Sequence, residues 1–335
     1  MTIRCRSHRI LPHFALIMLA AWAMASNVLA QSSTQNDAEI ISRGIFGSNQ
    51  KIDTAYGAFQ RGEFLTAFAL ALDRAQNDDA AAQTLIAEIL ANGLGVAQNL
   101  TEAASWYELG SKNGDINATF ALAMLLQAGD GVEQDRTRAA QLLQKAADAN
   151  HREAQYNLAL LHIEGAYVNP DVKKAALLMQ AAAEADLPEA LYDYGIMLAD
   201  GVGVLPDPVK SALNIRKAAE LGLPEAQVEY ATLRYLGKGV TRDIEAAAHW
   251  YERAAMNGVP VAQNRLAKLL SVGEGVSKDL VAAAMWRALA RRQGLNDPQT
   301  DDFLSKISRE DLAIAEERAR FWPGLPPKTD DKTVP

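Results

Sequence analysis

Three histidines, His151, His162 and His249, lie beyond residue 30 of the 335-residue chain and are the natural candidates for metal or acid–base chemistry. None sits in a His-Glu-x-x-His or paired-cysteine context, so a tetrahedral metal site has no frame, and their expected places are the surface or helix ends. Ser48 and Lys51 have the Ser-x-x-Lys spacing in which a lysine activates a serine nucleophile. No Lys-Thr-Gly or Ser-Asp-Asn partner accompanies them, which makes the match a coincidence of spacing in a linker. A Gly-x-Gly-Val run occurs at 93–96, 129–132, 201–204, 237–240 and 273–276, and 165–168 is a copy with Tyr167 in place of the second glycine. A phosphate loop would need a strand before it and a P-loop lysine, and these runs have neither. No catalytic residue, cofactor or metal is therefore expected.

What the glycine runs do is punctuate. Alanine recurs at Ala82, Ala118, Ala154, Ala190, Ala226 and Ala262, a spacing of 36 residues without insertion or deletion. Three residues after each valine comes a capping acceptor, Asn99, Asp135, Asp171, Asp207, Asp243 or Asp279, able to take the unpaired N–H groups of a helix's first turn. Asn99 and Glu102 have capping-box spacing, and Pro208 follows Asp207 at the position where a helix best accepts proline. Glycine supplies the left-handed turn that ends the first helix, and the valine is expected to bury beneath it. At Tyr167 the same turn would store ~1–2 kcal/mol if it needs positive φ; a locally different turn helped by Pro170 is the alternative.

Both helices of each unit carry 3.6-residue periodicity. Ile86, Ile89 and Leu90 recur as Leu122, Leu125 and Leu126, and small residues stand at Ala87, Ala123, Ala159, Gly195, Ala231 and Ala267. Small positions let helices approach closely while large ones fill between them. Units too short to bury their own apolar face must stack, which predicts an all-α, right-handed α-solenoid of helix-turn-helix repeats.

The Gly-x-Gly-Val runs, the Asp after each, and the pairs Trp106-Tyr107, Trp250-Tyr251, Ala146-Ala147, Ala218-Ala219 and Ala254-Ala255 resemble the Sel1-like repeats, relatives of the tetratricopeptide repeats. Leu142-Leu143, Leu178-Met179 and Asn214-Ile215 replace Trp-Tyr in repeats two to four. The resemblance covers 80–295 as six repeats and implies protein–protein interaction. Some secreted members staple each repeat with a cysteine pair; the single cysteine here, Cys5, departs from that pattern, and penicillin-binding activity claimed for such relatives does not carry over.

The flanks complete the expected organisation. Arg4, Arg6 and Arg9 precede an apolar run at 14–25, and Val28 and Ala30 fit a signal-peptidase site, with Ala23 and Ala25 as a second choice. This predicts a cleaved signal peptide over 1–30 and a periplasmic protein; the alternative, an uncleaved anchor, falls short of the ~20 apolar residues a span needs. A linker over 31–50 leads to a tetratricopeptide-like capping hairpin at 51–79. Capping helices follow the repeats at 296–324, as a pair whose second member opens at Ser308, and 325–335 is a disordered tail. Cleavage would lower the net charge from −8 to −11, with 30 basic against 41 acidic groups, which argues against nucleic acid and anionic membrane as partners.

Function must come from the surface. By analogy with tetratricopeptide repeats, the first helices line the concave side, presenting Thr84, Phe120, Tyr156, Tyr192, Val228 and Asn264, and four residues on Glu88, Met124, Leu160, Ile196, Thr232 and Lys268. The middle of this double row is apolar and aromatic, so Phe120, Met124, Tyr156, Leu160, Tyr192 and Ile196 are the candidate partner-binding residues. The alternative is that they fill seams between stacked repeats. The order of signal, hairpin, repeats and closing helix looks like the periplasmic Sel1-type regulators of alpha-proteobacteria, which hold a sensor histidine kinase inactive and so control exopolysaccharide and envelope programmes. A multi-partner envelope scaffold and a cell-wall or β-lactam-active enzyme are the competing functions.

Overall fold

A computed structural model describes residues 53–324. The expected signal peptide, the linker with Ser48 and Lys51, and the tail 325–335 lie outside the described residues. The described chain is helical, with no strand among the described residues, and divides into two compact units, one ending at His151 and the other beginning at Arg152.

The first unit contains α1 (Thr54–Gln60), α2 (Phe64–Gln76), α3 (Ala80–Asn92), α4 (Leu100–Lys112), α5 (Ile116–Ala128) and α6 (Arg136–Asp148). The second contains α7 (Arg152–Glu164), α8 (Val172–Glu184), α9 (Pro188–Asp200), α10 (Pro208–Glu220), α11 (Pro224–Leu236), α12 (Ile244–Met256), α13 (Pro260–Val272) and α14 (Leu280–Arg292). It closes with α15 (Pro298–Asp301), a 3-10 stretch at Asp302–Lys306, and α16 (Arg309–Phe321). Within each unit, consecutive helices pack in series, as stacked helix pairs must. The first closing element is thus one α-turn and a 3-10 segment where a full helix was expected.

Local chemistry sets each boundary. All six predicted acceptors cap a second helix, each side-chain oxygen taking the N–H three residues on, as Asp243 does from Ala246 at 2.9 Å. Each cap's own N–H bonds back to the first helix, for example Asp207 to Leu198 O at 2.8 Å. That bond corrects the expected capping box: the Asn99 N–H is taken by Leu90 O, so Glu102 accepts from the Asn99 side-chain amide instead. First helices use two other devices. Asp79 and Asp115 cap α3 and α5, whereas α9, α11 and α13 begin with proline at the first position and have no side-chain cap.

The glycine turns are stricter than a helix stop requires. Gly203 and Gly239, the second glycines of their runs, have φ of 71° and 67°, and a Cβ on either would collide with the carbonyl opening the preceding second helix, Val172 or Pro208. The valines that follow are half-buried and not, as expected, fully buried. Tyr167 adopts φ of 61°, so the third repeat keeps the left-handed turn with a side chain on it.

Alanine dominates the core, and buried amides tie successive repeats together. Gln83, Gln227 and Gln263 each donate to the end of the preceding second helix, at Ala75 O (2.9 Å), Ala219 O (3.3 Å) and Ala255 O (3.2 Å). Their oxygens accept from Asn113, Asn257 and Gln293. Buried amides satisfied on both sides fix register at little net cost.

Candidate interaction face

The double row on the first helices separates into two sets with different surroundings. The inner set, Glu88, Met124, Leu160, Ile196, Thr232 and Lys268, stands 19 residues before a buried second-helix position occupied by Tyr107, Leu143, Met179, Ile215, Tyr251 and Arg287. In the first five repeats the two columns match chemically; in the sixth, Lys268 is exposed and Arg287 buried. Opposite Tyr251 lies Thr232, with the hydroxyls 2.9 Å apart, and opposite Tyr107 lies Glu88, which together with burial pushes that phenol up to about 12, burial being the larger cause. Opposite apolar Leu143, Met179 and Ile215 the inner set is apolar. Leu160 and Ile196 are half-buried against the cluster that contains Met179 and Ile215. Even Gly195 fits this logic, since a Cβ there would stand 2.6 Å from Ile215 Cγ1. Leu160, Ile196 and Thr232 therefore line the seam between the two helices of their pairs, and in repeats three and four the loss of Trp-Tyr coincides with the apolar stretch for a packing reason.

The outer set is half-buried except for Asn264, which is buried. Phe120 is half-buried and stacks on His151, ring centroids 4.6 Å apart. Tyr156 and Tyr192, on α7 and α9, are half-buried against the core of the second unit. The Tyr156 hydroxyl donates to Asp193 Oδ2 at 2.9 Å, joining one first helix to the next. Asp193 was not singled out from the sequence; it is half-buried, and burial, reinforced by Glu189, holds its carboxyl above the usual range despite the Tyr156 hydrogen bond. Tyr192 is raised by burial first and then by Glu229, Asp193 and Glu225. Glu189, Asp193, Glu225 and Glu229 have no cationic side chain within ion-pair reach among the described residues. Carboxylates in other places do, as with Glu108 and Arg138, or Asp186 and Lys217.

At the row's last position the structure turns polar groups to architecture. Asn264 is buried and donates to Asp297 Oδ2 at 2.7 Å, and with Thr300 it lowers Asp297 to about 2, Thr300 being the stronger cause. Arg287, 1% exposed, bonds Asp301 Oδ1 at 2.6 Å and the carbonyls of Leu295 and Asp297, clamping the closing segment. The signal that could have found it was an arginine in a column otherwise apolar or tyrosine.

Of the three histidines, His162 takes the helix-end placement, in the last turn of α7, but is buried there: it is 6% exposed, with Nδ1 2.8 Å from Asn169 O. His151 is half-buried beside Phe120, and His249 is exposed. No group of three metal-ligating side chains forms among the described residues. Exposed apolar side chains also passed over in the sequence stand at Leu177 of α8 (66%), at Leu205 before α10 (88%), and at Val209 and Leu213 of α10.

Stacked helix pairs with a periodic outward face define the class of repeat scaffolds that bind other proteins. The Sel1 repeat profile matches residues 80–115, 116–151, 152–187, 188–223, 224–259 and 260–295, and the chain belongs to the Sel1 repeat family, whose α-solenoids are general protein–protein interaction modules, typically without catalysis of their own. Among solved structures, it is similar to c5321, a protective antigen of uropathogenic Escherichia coli, at 25% identity and a TM-score of 0.67, over 76% of this chain and 55% of that one. The chain thus spans about half the length of that relative. It is also similar to a Sel1 repeat protein from Oxalobacter formigenes, at 26% identity and a TM-score of 0.63, over 73% of this chain and 98% of that one. No curated protein matches the sequence. Among the described residues, no helix is long and apolar enough to cross a membrane.

Proposed function

We propose that the protein is a periplasmic interaction module that captures a partner protein on the concave face formed by its first helices, and that the partner is the periplasmic domain of an envelope sensor kinase. The observation that carries the capture is the outer row of the second unit: Tyr156 and Tyr192 are half-buried on a rigid helical frame and flanked by carboxylates without internal cations. Tyrosines held this way bind at low entropic cost, because the frame has already fixed them. In the first unit Phe120 and Met124 are proposed as contacts in their own right, and in the second Leu160 and Ile196 support the tyrosines from the seam beneath. The export signal read from the sequence supplies the compartment, and the order of signal, hairpin and repeats supplies the kinase.

In-cell crosslinking of tagged full-length protein, with partners identified by mass spectrometry, tests the whole proposal. One sensor's periplasmic domain is the expected product, and it should be lost in a Tyr156→Ala, Tyr192→Ala double variant; several cell-wall proteins in its place would make the chain a multi-partner scaffold. Losing two aromatic anchors should weaken capture at least ~30-fold, about 2 kcal/mol. N-terminal sequencing of the exported chain should begin at Gln31, and a retained residue 1 would defeat the periplasmic assignment.

A further inference from the structure

The first-helix face of the second unit differs in charge from one repeat to the next, and the difference is local. At the exposed and half-buried positions around the tyrosines, α7 offers Glu153, Tyr156 and Asn157, α9 offers Glu189, Tyr192 and Asp193, and α11 offers Glu225, Val228 and Glu229. Glu153 has Arg152 as an ion-pair partner at 2.9 Å; the four carboxylates on α9 and α11 have none. In α13 the sign reverses, with Arg265 over the Tyr251 ring at 5.8 Å. The strip on α9 and α11 is therefore bounded, not part of a uniform acidic coat.

Asp193 is its most telling member. A half-buried carboxylate loses hydration without gaining a counter-charge, which costs stability unless a cation arrives from elsewhere. It accepts a hydrogen bond from the Tyr156 hydroxyl, at 2.9 Å, and Tyr156 and the adjoining Tyr192 supply apolar ring surface nearby. Arginine fits such a place well: its fork satisfies a carboxylate while its flat face lies on an aromatic ring. We infer that the segment docking on this face is cationic and amphipathic, an extended peptide placing one guanidinium at Asp193 between Tyr156 and Tyr192 and a second at Glu229, with apolar side chains between. With first helices of successive repeats taken as about 10 Å apart, that span is about three residues of chain in the polyproline II conformation, whose three-residue turn returns a side chain to the same face, so the two basic residues fall three apart. The inference rests on the docking face proposed above and adds the chemistry of what docks. The exposed apolar side chains at Leu177 and Leu205 have no comparable charge pattern to name an occupant.

Fluorescence anisotropy on the mature full-length chain tests this with two labelled peptides. One has arginine at every third place with leucine or phenylalanine between; the other replaces arginine by citrulline, which keeps shape and removes charge. The arginine peptide should bind at least ~10-fold tighter than the citrulline peptide, and Asp193→Asn with Glu229→Gln should erase that advantage. The same double variant should melt no lower than the wild type, since it removes unpaired charge. A control with Glu220→Gln and Glu252→Gln, on second helices, should leave affinity unchanged. Equal loss in the control, an unaffected double variant, or no binding of the arginine peptide would each overturn the inference. If both peptides bind equally and both are lost with Tyr156→Ala and Tyr192→Ala, the docking face stands and its cationic occupant falls. If neither responds to the tyrosine substitutions, the docking face itself falls.

Discussion

The repeats with a tyrosine in the second-helix seat and those with an aliphatic residue there solve the same packing problem in opposite ways. In the fifth repeat Tyr251 is buried and Thr232 reaches across to its hydroxyl; in the fourth Ile215 is buried, Ile196 covers it, and Gly195 makes room. A buried hydroxyl must find a partner, so the tyrosine imposes a polar neighbour, and an aliphatic seat releases that neighbour to become apolar. An apolar patch on a repeat surface can therefore arise from the seam behind it. The outer row has no such explanation: Tyr156 and Tyr192 are answered by carboxylates of the next first helix, not by the seat.

The last repeat carries the polar solution furthest and gives the largest expected effect. Arg287 fills the same seat at 1% exposure and binds Asp301 and two carbonyls. Arg287→Ala would leave Asp301 and those carbonyls without their donor, at a cost of ~3–5 kcal/mol if the closing segment melts with the unit. Hydrogen exchange should show α15 and α16 losing protection first; unchanged protection there would mean that the clamp holds nothing. The same region should be acid-sensitive. Asp297, ordinarily 3.8, sits at about 2, so its contribution is present above pH ~4 and disappears as pH falls through 2. Asp297→Asn should remove that low-pH slope.

Within the seam itself the two solutions predict unequal costs. Ile215→Ala empties an aliphatic seat and should cost about 2–5 kcal/mol by denaturant unfolding. Tyr251→Phe keeps the ring and loses only the hydroxyl, and Thr232 keeps its bond to Val228 O at 2.9 Å, so ~1 kcal/mol or less is expected. Equal losses would erase the distinction between a seat filled by volume and one completed by a hydrogen bond.

Period, turns and caps were legible in the sequence because each depends on residues close along the chain: the six Asn or Asp acceptors are read from three-residue spacings. The seam pairing between Thr232 and Tyr251, the amide bridge from Asn257 to Gln227, and the Arg287 clamp were missed, because each joins residues 14 to 30 apart whose meeting depends on helix rotation. The candidate row was legible as a pattern but not as two sets, since half-buried Tyr156 and half-buried Leu160 look alike until their neighbours are known. A second turn was also overlooked. Asp78, Asn150 and Asp186 take positive φ in the same phase as Gly114, Gly222, Gly258 and Gly294, a column of the residues that best tolerate that conformation.

Tyr167 is the one residue outside that tolerant group to take positive φ among the described residues, and it sharpens the comparison of repeats at the smallest scale. A left-handed tyrosine costs ~1–2 kcal/mol, and glycine would relieve it while losing ~0.5–1 kcal/mol of backbone entropy on folding. The net gain for Tyr167→Gly is therefore about 0–1.5 kcal/mol. Tyr167→Ala separates the two causes, because it removes the half-exposed ring and its contacts while leaving a Cβ at φ of 61°. If backbone strain is what distinguishes the third turn, glycine must exceed alanine in unfolding free energy, and the gap between those two variants, with the ~0.5–1 kcal/mol of backbone entropy that glycine loses added back, measures the strain free of anything the tyrosine ring touches. An alanine variant more stable than the glycine one by that ~0.5–1 kcal/mol would mean that the turn relaxes around its side chain, and the third repeat would then differ from its neighbours in sequence but not in energy.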